Sequence, residues 1–251
     1  MADIFAGSIH QFYLTSNQNN LTPKLLNNKK MSKKTITPGH SVPTYAQDAT
    51  HYHLILDKSG SMSTHYVETL QALNNKFEGI RATQSDHPDI PIFVSLTLFS
   101  DSPELVFEQR PAAELRPLTE EDYALNGMTA LLDATGTVIE RMQYLLRHDI
   151  KNHNANAMVL IFTDGHENAS RRFTYADIGE KIKRLGSDPA WSFAFVGADI
   201  DAWDVASRIN FNRSNVYSSY KRDVGHTMHM LTNEFEKSIR LKEKGEKWDG
   251  F

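Results

Sequence analysis

"ILDKSGSMS", residues 55–63, passes from two apolar residues to an aspartate and then places a serine at every second position. The apolar start is typical of a buried strand, and Gly60 allows the chain to bend sharply after it. The stretch therefore predicts the end of a strand that leads Asp57, Ser59 and Ser61 into a loop. Three interpretations fit this pattern: a metal site, a catalytic aspartate, or an ordinary turn from a strand to a helix.

The overall composition is that of a globular protein, with 40% hydrophobic and 23% charged residues in a chain of 251. A net charge of −4 gives no strong field, so neither nucleic acid nor a membrane is expected as a partner. The absence of cysteine excludes disulfides, thiolate metal sites and cysteine nucleophiles. It also fits a reducing compartment, and with no signal-peptide pattern at the start we expect a cytoplasmic protein.

From residue 51 onward, short apolar runs alternate with longer segments whose apolar residues recur at helical spacing. Val67, Leu70 and Leu73 begin one helical face, whereas "MVLIF" (158–162) is typical of a fully buried strand. The pattern predicts strands at 53–56, 92–99, 105–107, 158–162, 192–197 and 215–217. It predicts helices at 66–82, 131–146, 175–185, 201–209 and 224–239.

The alternation of strands and helices indicates an α/β fold with a central, mainly parallel sheet and helices on both faces. Strands 92–99 and 105–107 are too close for a helical crossover, so we expect a hairpin that places one short antiparallel strand at an edge. Residues 1–50 are polar and lack a period, which predicts a flexible N-terminal extension. The α/β domain is then expected at 51–242, followed by a C-terminal tail at 243–251.

Three predicted loops carry oxygen-bearing side chains to one edge of this sheet, because ligands bind at the carboxyl ends of strands in open α/β sheets. Asp57 follows the first strand, Asp164 follows "MVLIF", and Thr129 lies in "NGMT" at the start of a helix. Carboxylate and hydroxyl oxygens suit a hard cation such as Mg²⁺, Mn²⁺ or Ca²⁺. The sequence therefore predicts a divalent-cation site.

These motifs resemble the metal-ion-dependent adhesion site (MIDAS) of von Willebrand factor A (vWA) domains, over about residues 51–240. "FTDGHENAS" and "FAFVGADIDA" further resemble short stand-alone prokaryotic members of that family. The resemblance implies a Rossmann-like vWA fold and a partner whose acidic side chain completes the coordination of the cation. It also implies hydroxyl groups as direct ligands and carboxylates that act largely through bound water, the full set being Ser59, Ser61, Thr129, Asp57 and Asp164.

Neutral hydroxyl ligands leave a bound cation short of negative charge, so it attracts an additional carboxylate. The expected function is therefore that of a metal-dependent protein-binding module, an adaptor or scaffold that engages an Asp or Glu of a protein partner. Mg²⁺ is the expected cation, with Mn²⁺ or Ca²⁺ as alternatives, and no enzymatic activity is expected. The sequence leaves the identity of the partner and the oligomeric state open.

The alternative is a Mg²⁺-dependent phosphohydrolase-like enzyme in which Asp57 is the nucleophile. Such chemistry usually needs a second acid two residues later, where this chain has Ser59. An EF-hand is excluded because Met62 occupies the position that requires glycine. Among nearby residues, Asp133 and Glu167 are expected either to cap a helix or to be solvated. Lys58 and His65 are expected to be exposed. Asp199 and Asp201 are expected to cap the following helix.

Overall fold

A six-stranded sheet forms the centre of the protein in a computed structural model that describes residues 49–219, 223–246 and 248. The strand order is β3-β2-β1-β4-β5-β6. All neighbouring strands are parallel except β3, which pairs antiparallel with β2 at one edge. The predicted α/β fold with a mainly parallel sheet is thereby confirmed. The strands are β1 (Ala49–Asp57), β2 (Ile92–Phe99), β3 (Pro103–Pro111), β4 (Ala155–Thr163), β5 (Trp191–Ala198) and β6 (Val216–Ser219).

Helices cover both faces of the sheet. They are α1 (Tyr66–Asp86), α2 (Leu131–Lys151), α3 (Tyr175–Leu185), α4 (Ala202–Ser207) and α5 (Val224–Glu243). The core accordingly divides into two layers of buried side chains, one with α1 and α5 and the other with α2, α3 and α4. Leu54 and Leu56 of β1 face the first layer and Ile55 faces the second, which explains the continuous apolar run of this strand.

Several elements are longer than their apolar patterns predict. The edge strand β3 has nine residues where three were predicted, and α2 continues five residues beyond 146 to Lys151. Most of β3 is exposed or only partly buried, which allows polar residues at its ends. Because these residues are polar, they give no strand signal in the sequence. Val67, predicted to lie on the core face of α1, is instead 56% exposed in the first turn of the helix.

The ends of the chain are described only in part. The predicted flexible extension 1–50 lies outside the described residues except for its last two, which begin β1. In the predicted tail 243–251, Glu243 still belongs to α5, and Trp248 is partly buried against the layer of α1 and α5. Within the described residues, no helix is long and apolar enough to cross a membrane.

Candidate metal site

The carboxyl ends of β1 and β4 lie side by side, because the two strands are parallel neighbours in which Leu56 is paired with Phe162. This register places Asp57, the last residue of β1, beside Thr163, the last residue of β4. The Thr163 hydroxyl donates a hydrogen bond of 2.5 Å to Asp57 Oδ2. Asp164 follows at once, so the sheet brings two acidic residues from distant parts of the chain to one point.

Asp57 is completely buried, with no exposed side-chain surface. Its Oδ1 accepts a hydrogen bond of 2.7 Å from the backbone N–H of Ser59. Burial raises the pKa of Asp57 to about 6, although the hydrogen bonds from Thr163 and Ser59 act in the opposite direction. The neighbouring Asp164 also raises this pKa. A cation at this position would therefore relieve an unfavourable buried charge.

Hydroxyl groups continue from Asp57 toward the surface. Ser59 Oγ and Ser61 Oγ are 3.1 Å apart, and Ser61 Oγ donates a hydrogen bond of 2.7 Å to Asp164 Oδ1. Burial of the Asp164 carboxyl raises its pKa as well. Ser59 is buried whereas Ser61 is exposed, so the cluster opens to solvent on the Ser61 side.

Thr129 completes the cluster from the loop before α2. A Cβ atom on Gly165 would lie 3.0 Å from Thr129 Oγ1 and 3.5 Å from Ser61 Oγ. Gly165 therefore lets the Thr129 hydroxyl approach the backbone that follows Asp164 closely, with the Ser61 hydroxyl at ordinary contact distance. The fold thus brings together all of the residues predicted to form the site: Asp57, Ser59, Ser61, Thr129 and Asp164.

The chemistry of this cluster fits a hard divalent cation. Its side chains offer only hydroxyl and carboxylate oxygens, and both carboxyl groups have raised pKa values that a nearby cation would lower. Among the described residues, no group of three or more His, Asp or Glu side chains is placed to hold a metal. Any cation bound here would therefore depend on hydroxyl groups rather than on a cage of carboxylates.

The loop that carries Thr129 is fixed by hydrogen bonds to two other loops. Gly60 N–H donates to Gly127 O at 3.2 Å, and Asn126 N–H donates to Lys58 O at 2.9 Å. The backbone N–H of Met128 donates to Asp101 Oδ1 at 2.9 Å. Gly127 has φ +70, a left-handed conformation that glycine adopts without strain. The position of Thr129 thus depends on this turn.

We expect Gly127→Ala to destabilise the protein by about 2 kcal/mol and to weaken cation binding. An alanine Cβ would be strained by the positive φ and would lie 2.4 Å from Asp101 Oδ2, so the turn must move. Gly245→Ala is the matched control, because Gly245 has φ +68 but no atom within 4 Å of its Cβ position. Urea denaturation of both variants measures the difference, and equal destabilisation would contradict a specific role for the Asp101 contact.

Three supporting residues were not predicted. The Thr163 hydroxyl donates to Asp57 Oδ2, and the Tyr123 hydroxyl donates to Asp57 O at 2.6 Å. Asn168 Oδ1 accepts a hydrogen bond from Thr129 N at 2.8 Å. Thr163 could have been found from its place beside Asp164 at the end of a strand. Tyr123 lies in a loop without periodicity, and nothing in the sequence pairs it with Asp57.

The other acidic residues near the cluster, Glu167 and Asp133, stabilise the backbone of the start of α2 and of the loop that follows Asp164. Glu167 accepts hydrogen bonds from Leu132 N and from the N–H groups of residues 169 and 170, and thereby caps the start of α2. Asp133 accepts from the N–H groups of residues 171, 172 and 173. The contacts of Glu167 agree with the capping role expected for it, whereas Asp133 is neither a helix cap nor simply solvated, because it holds the loop at 171–173.

The flanking residues differ partly from expectation. His65, expected to be exposed, is buried, and its Nε2 lies 3.1 Å from Asp199 Oδ2 in an interaction that ties the start of α1 to the end of β5. Asp201 caps α4 by accepting from Trp203 N and Asp204 N, as expected, whereas Asp199 pairs with His65. Lys58, also expected to be exposed, is partly buried, with 14% of its side chain exposed, and its Nζ contacts Glu104 Oε2 at 2.5 Å.

No family model and no curated protein matches the sequence. Solved structures do match the fold. The ArnB paralog VWA2 from Sulfolobus acidocaldarius is 17% identical with a TM-score of 0.51, over 74% of this chain and 45% of its own. Proximal thread matrix protein 1 from the mussel byssus, with a zinc-occupied MIDAS motif, is 15% identical with a TM-score of 0.52. The match covers 77% of this chain and 46% of that protein's own chain.

The vWF domain of the type V pili tip protein Mfa5 from Porphyromonas gingivalis is 8% identical with a TM-score of 0.52, over 77% of this chain and 97% of its own. The chain thus spans less than half the length of the first two structures and nearly all of the third. Identities this low establish similarity of fold. Together with the strand order and the helices on both faces, they show that this chain has the fold of the von Willebrand factor A domains.

Proposed function

We propose that this protein is a metal-dependent protein-binding module that engages an acidic side chain of a protein partner through a divalent cation. The observation that carries the proposal is the convergence of three hydroxyl groups and two carboxyl groups at the ends of β1 and β4. The cluster is closed below by buried Asp57 and opens to solvent at Ser61, where a partner could approach. A vWA fold and a structural neighbour with a zinc-occupied MIDAS motif support the same function.

In this proposal Ser59, Ser61 and Thr129 hold the cation through their hydroxyl oxygens. Asp57 and Asp164 supply negative charge, largely through bound water, and orient the serines by the hydrogen bonds described above. The cation supplies an electrophilic position that accepts a carboxylate from outside the protein. Mg²⁺ is the proposed cation, with Mn²⁺ or Ca²⁺ as alternatives, because the donor set contains only oxygen. The cysteine-free composition supports a cytoplasmic location.

An enzymatic role for Asp57 has less support. Both of its carboxylate oxygens accept hydrogen bonds, from Ser59 N and from the Thr163 hydroxyl, and its side chain is fully buried. A nucleophile must instead present an oxygen to the substrate. We therefore propose that the protein is not an enzyme. Hydrolysis of a generic phosphate ester with Mg²⁺, abolished in Asp57→Asn, would support the phosphohydrolase alternative instead.

The recruitment of a carboxylate can be tested with acetate labelled with ¹³C at its carboxyl carbon. We expect the Mn²⁺-loaded protein to show a ¹³C coupling characteristic of directly coordinated acetate in electron–nuclear double resonance. Ser59→Ala/Ser61→Ala should lose this coupling. Ser63→Ala, which alters an exposed serine of the same stretch, should retain it. Bound Mn²⁺ that never coordinates acetate, or equal coupling in the double variant, would contradict the proposal.

A further inference from the structure

Asn126 and Gly127 form the only Asn-Gly dipeptide in the sequence, and they lie shortly before Thr129 in the same loop. Both residues are exposed to solvent. An Asn-Gly dipeptide matters because the backbone nitrogen that follows an asparagine can attack the amide carbon of that side chain. Glycine hinders this attack least, since it has no Cβ atom to crowd its nitrogen. All other asparagines of the chain are followed by residues that have a Cβ atom.

The side-chain amide of Asn126 is in contact with a hydroxyl donor. Ser100, which directly follows β2, donates a hydrogen bond of 2.8 Å from its Oγ to Asn126 Oδ1. A donor at this oxygen makes the amide carbon more electrophilic. It also stabilises the negative charge that an attack on that carbon places on the oxygen. The amide of Asn126 is therefore both accessible to water and activated toward a nucleophile.

The backbone of this dipeptide is anchored by hydrogen bonds to the loop that follows β1. Asn126 N–H donates to Lys58 O at 2.9 Å, and Gly127 O accepts from Gly60 N–H at 3.2 Å. Neither of these two bonds uses the backbone nitrogen of Gly127, which is the atom that attacks. The anchors thus fix the turn at Asn126 N and Gly127 O and leave the attacking nitrogen out of both contacts.

We propose that Asn126 deamidates spontaneously to aspartate and isoaspartate, and that the Ser100 hydroxyl accelerates this reaction. Hydroxide removes the amide proton of Gly127, and the Gly127 nitrogen attacks Asn126 Cγ. The bond between Cγ and Nδ2 breaks, and Nδ2 takes a proton from water and leaves as ammonia, so that a succinimide ring remains. Water then opens the ring. Cleavage of the new bond to Cγ gives aspartate, whereas cleavage of the original peptide bond gives isoaspartate. The net reaction consumes water and releases ammonia, without oxidation or reduction.

Both products alter the loop that carries Thr129. Isoaspartate adds a carbon atom to the backbone of the anchored turn, and each product adds a negative charge to a turn that the Asp101 carboxylate already contacts through Met128 N–H. We therefore expect the isoaspartate form to be less stable than the parent in urea denaturation of the metal-free protein. It should also bind Mg²⁺ more weakly, an expectation that rests on the proposed function, in which Thr129 is a ligand of the cation.

Incubation of the full-length, metal-free protein at pH 8 in water enriched in oxygen-18 tests this proposal. Peptide mass spectrometry locates each new carboxyl group by its incorporated label, and electron-transfer fragmentation distinguishes isoaspartate from aspartate. We expect Asn126 to react at least about tenfold faster than exposed Asn154 or Asn212, because both of these precede residues with a Cβ atom.

Two serine variants test the role of Ser100. Ser100→Ala should slow the labelling of Asn126 about tenfold in the folded protein and leave it unchanged in protein unfolded by urea. Ser102→Ala, which alters an exposed serine of the same turn, should match the parent in both states.

Labelling of Asn126 that is no faster than labelling of Asn154 would overturn the proposal. So would equal or faster labelling in folded Ser100→Ala, because the Ser100 contact would then give no acceleration. Both results are independent of the cation site. Unchanged binding of Mg²⁺ by the isoaspartate form would overturn only the consequence stated for the cation.

Discussion

Asp57→Asn should stabilise the metal-free protein by about 3 kcal/mol at pH 8 and abolish its stabilisation by Mg²⁺. The carboxylate of Asp57 is fully buried between the ends of β1 and β4, and its pKa is raised from 3.8 to about 6. The ionised form is therefore disfavoured in the folded state. Asparagine keeps the shape and an acceptor for Ser59 N–H but removes the charge that a cation would need.

The increase in the free energy of unfolding from Asp57→Asn should be larger at high pH than at low pH. A carboxyl group whose pKa is raised by folding stabilises the protein below its unfolded pKa, and this contribution is lost as pH rises through about 6. Urea denaturation should thus show the variant to be more stable than the parent at pH 8 but not at pH 3.5. Asp89→Asn, which changes an exposed carboxyl group, should match the parent at both pH values. A destabilised Asp57→Asn at pH 8 would contradict this account.

Lys76→Met should stabilise the protein by about 4 kcal/mol at pH 7 or below. Methionine retains an apolar stem of similar length and removes an ammonium group that has one long hydrogen bond and no carboxylate partner among the described residues.

The sign of the Lys76 effect follows from the lowered pKa. Folding lowers this pKa from 10.5 to about 7, so the folded state is penalised as pH falls below 10.5, and the penalty is complete below about 7. The gain in Lys76→Met should therefore be large at pH 6.5 and small at pH 10.5. Lys183→Met, at an exposed position, should change stability little at either pH. An equal gain at both pH values would point to packing rather than charge.

The clustering of the five candidate residues follows from their places beside elements with strong local signals. Asp57 and Asp164 each follow a buried apolar strand, and parallel pairing of those two strands brings their ends together. Thr129 lies just before Ala130, the residue that precedes a helix with a clear apolar face. Local pattern and sheet topology are thus sufficient to place them.

The contacts that support the site could not be predicted in this way. Tyr123 and Asp57 are 66 residues apart in sequence, and their hydrogen bond depends on how an irregular loop folds over the end of β1. His65 likewise contacts Asp199, whose backbone has φ +52 after β5, and no local pattern links these two residues. Lys76 falls between apolar residues of α1, but only the approach of α5 buries it.

The most direct test of the central claim is a calorimetric titration of metal-stripped protein with Mg²⁺ and then Mn²⁺, beside Ser59→Ala/Ser61→Ala and Ser63→Ala. The two serines of the double variant lie 3.1 Å apart in the cluster, whereas Ser63 is exposed outside it. We predict saturable binding of one cation by the parent and by Ser63→Ala, and its loss in a folded double variant. Unchanged binding in the double variant would contradict the account, because the cation would then be held elsewhere.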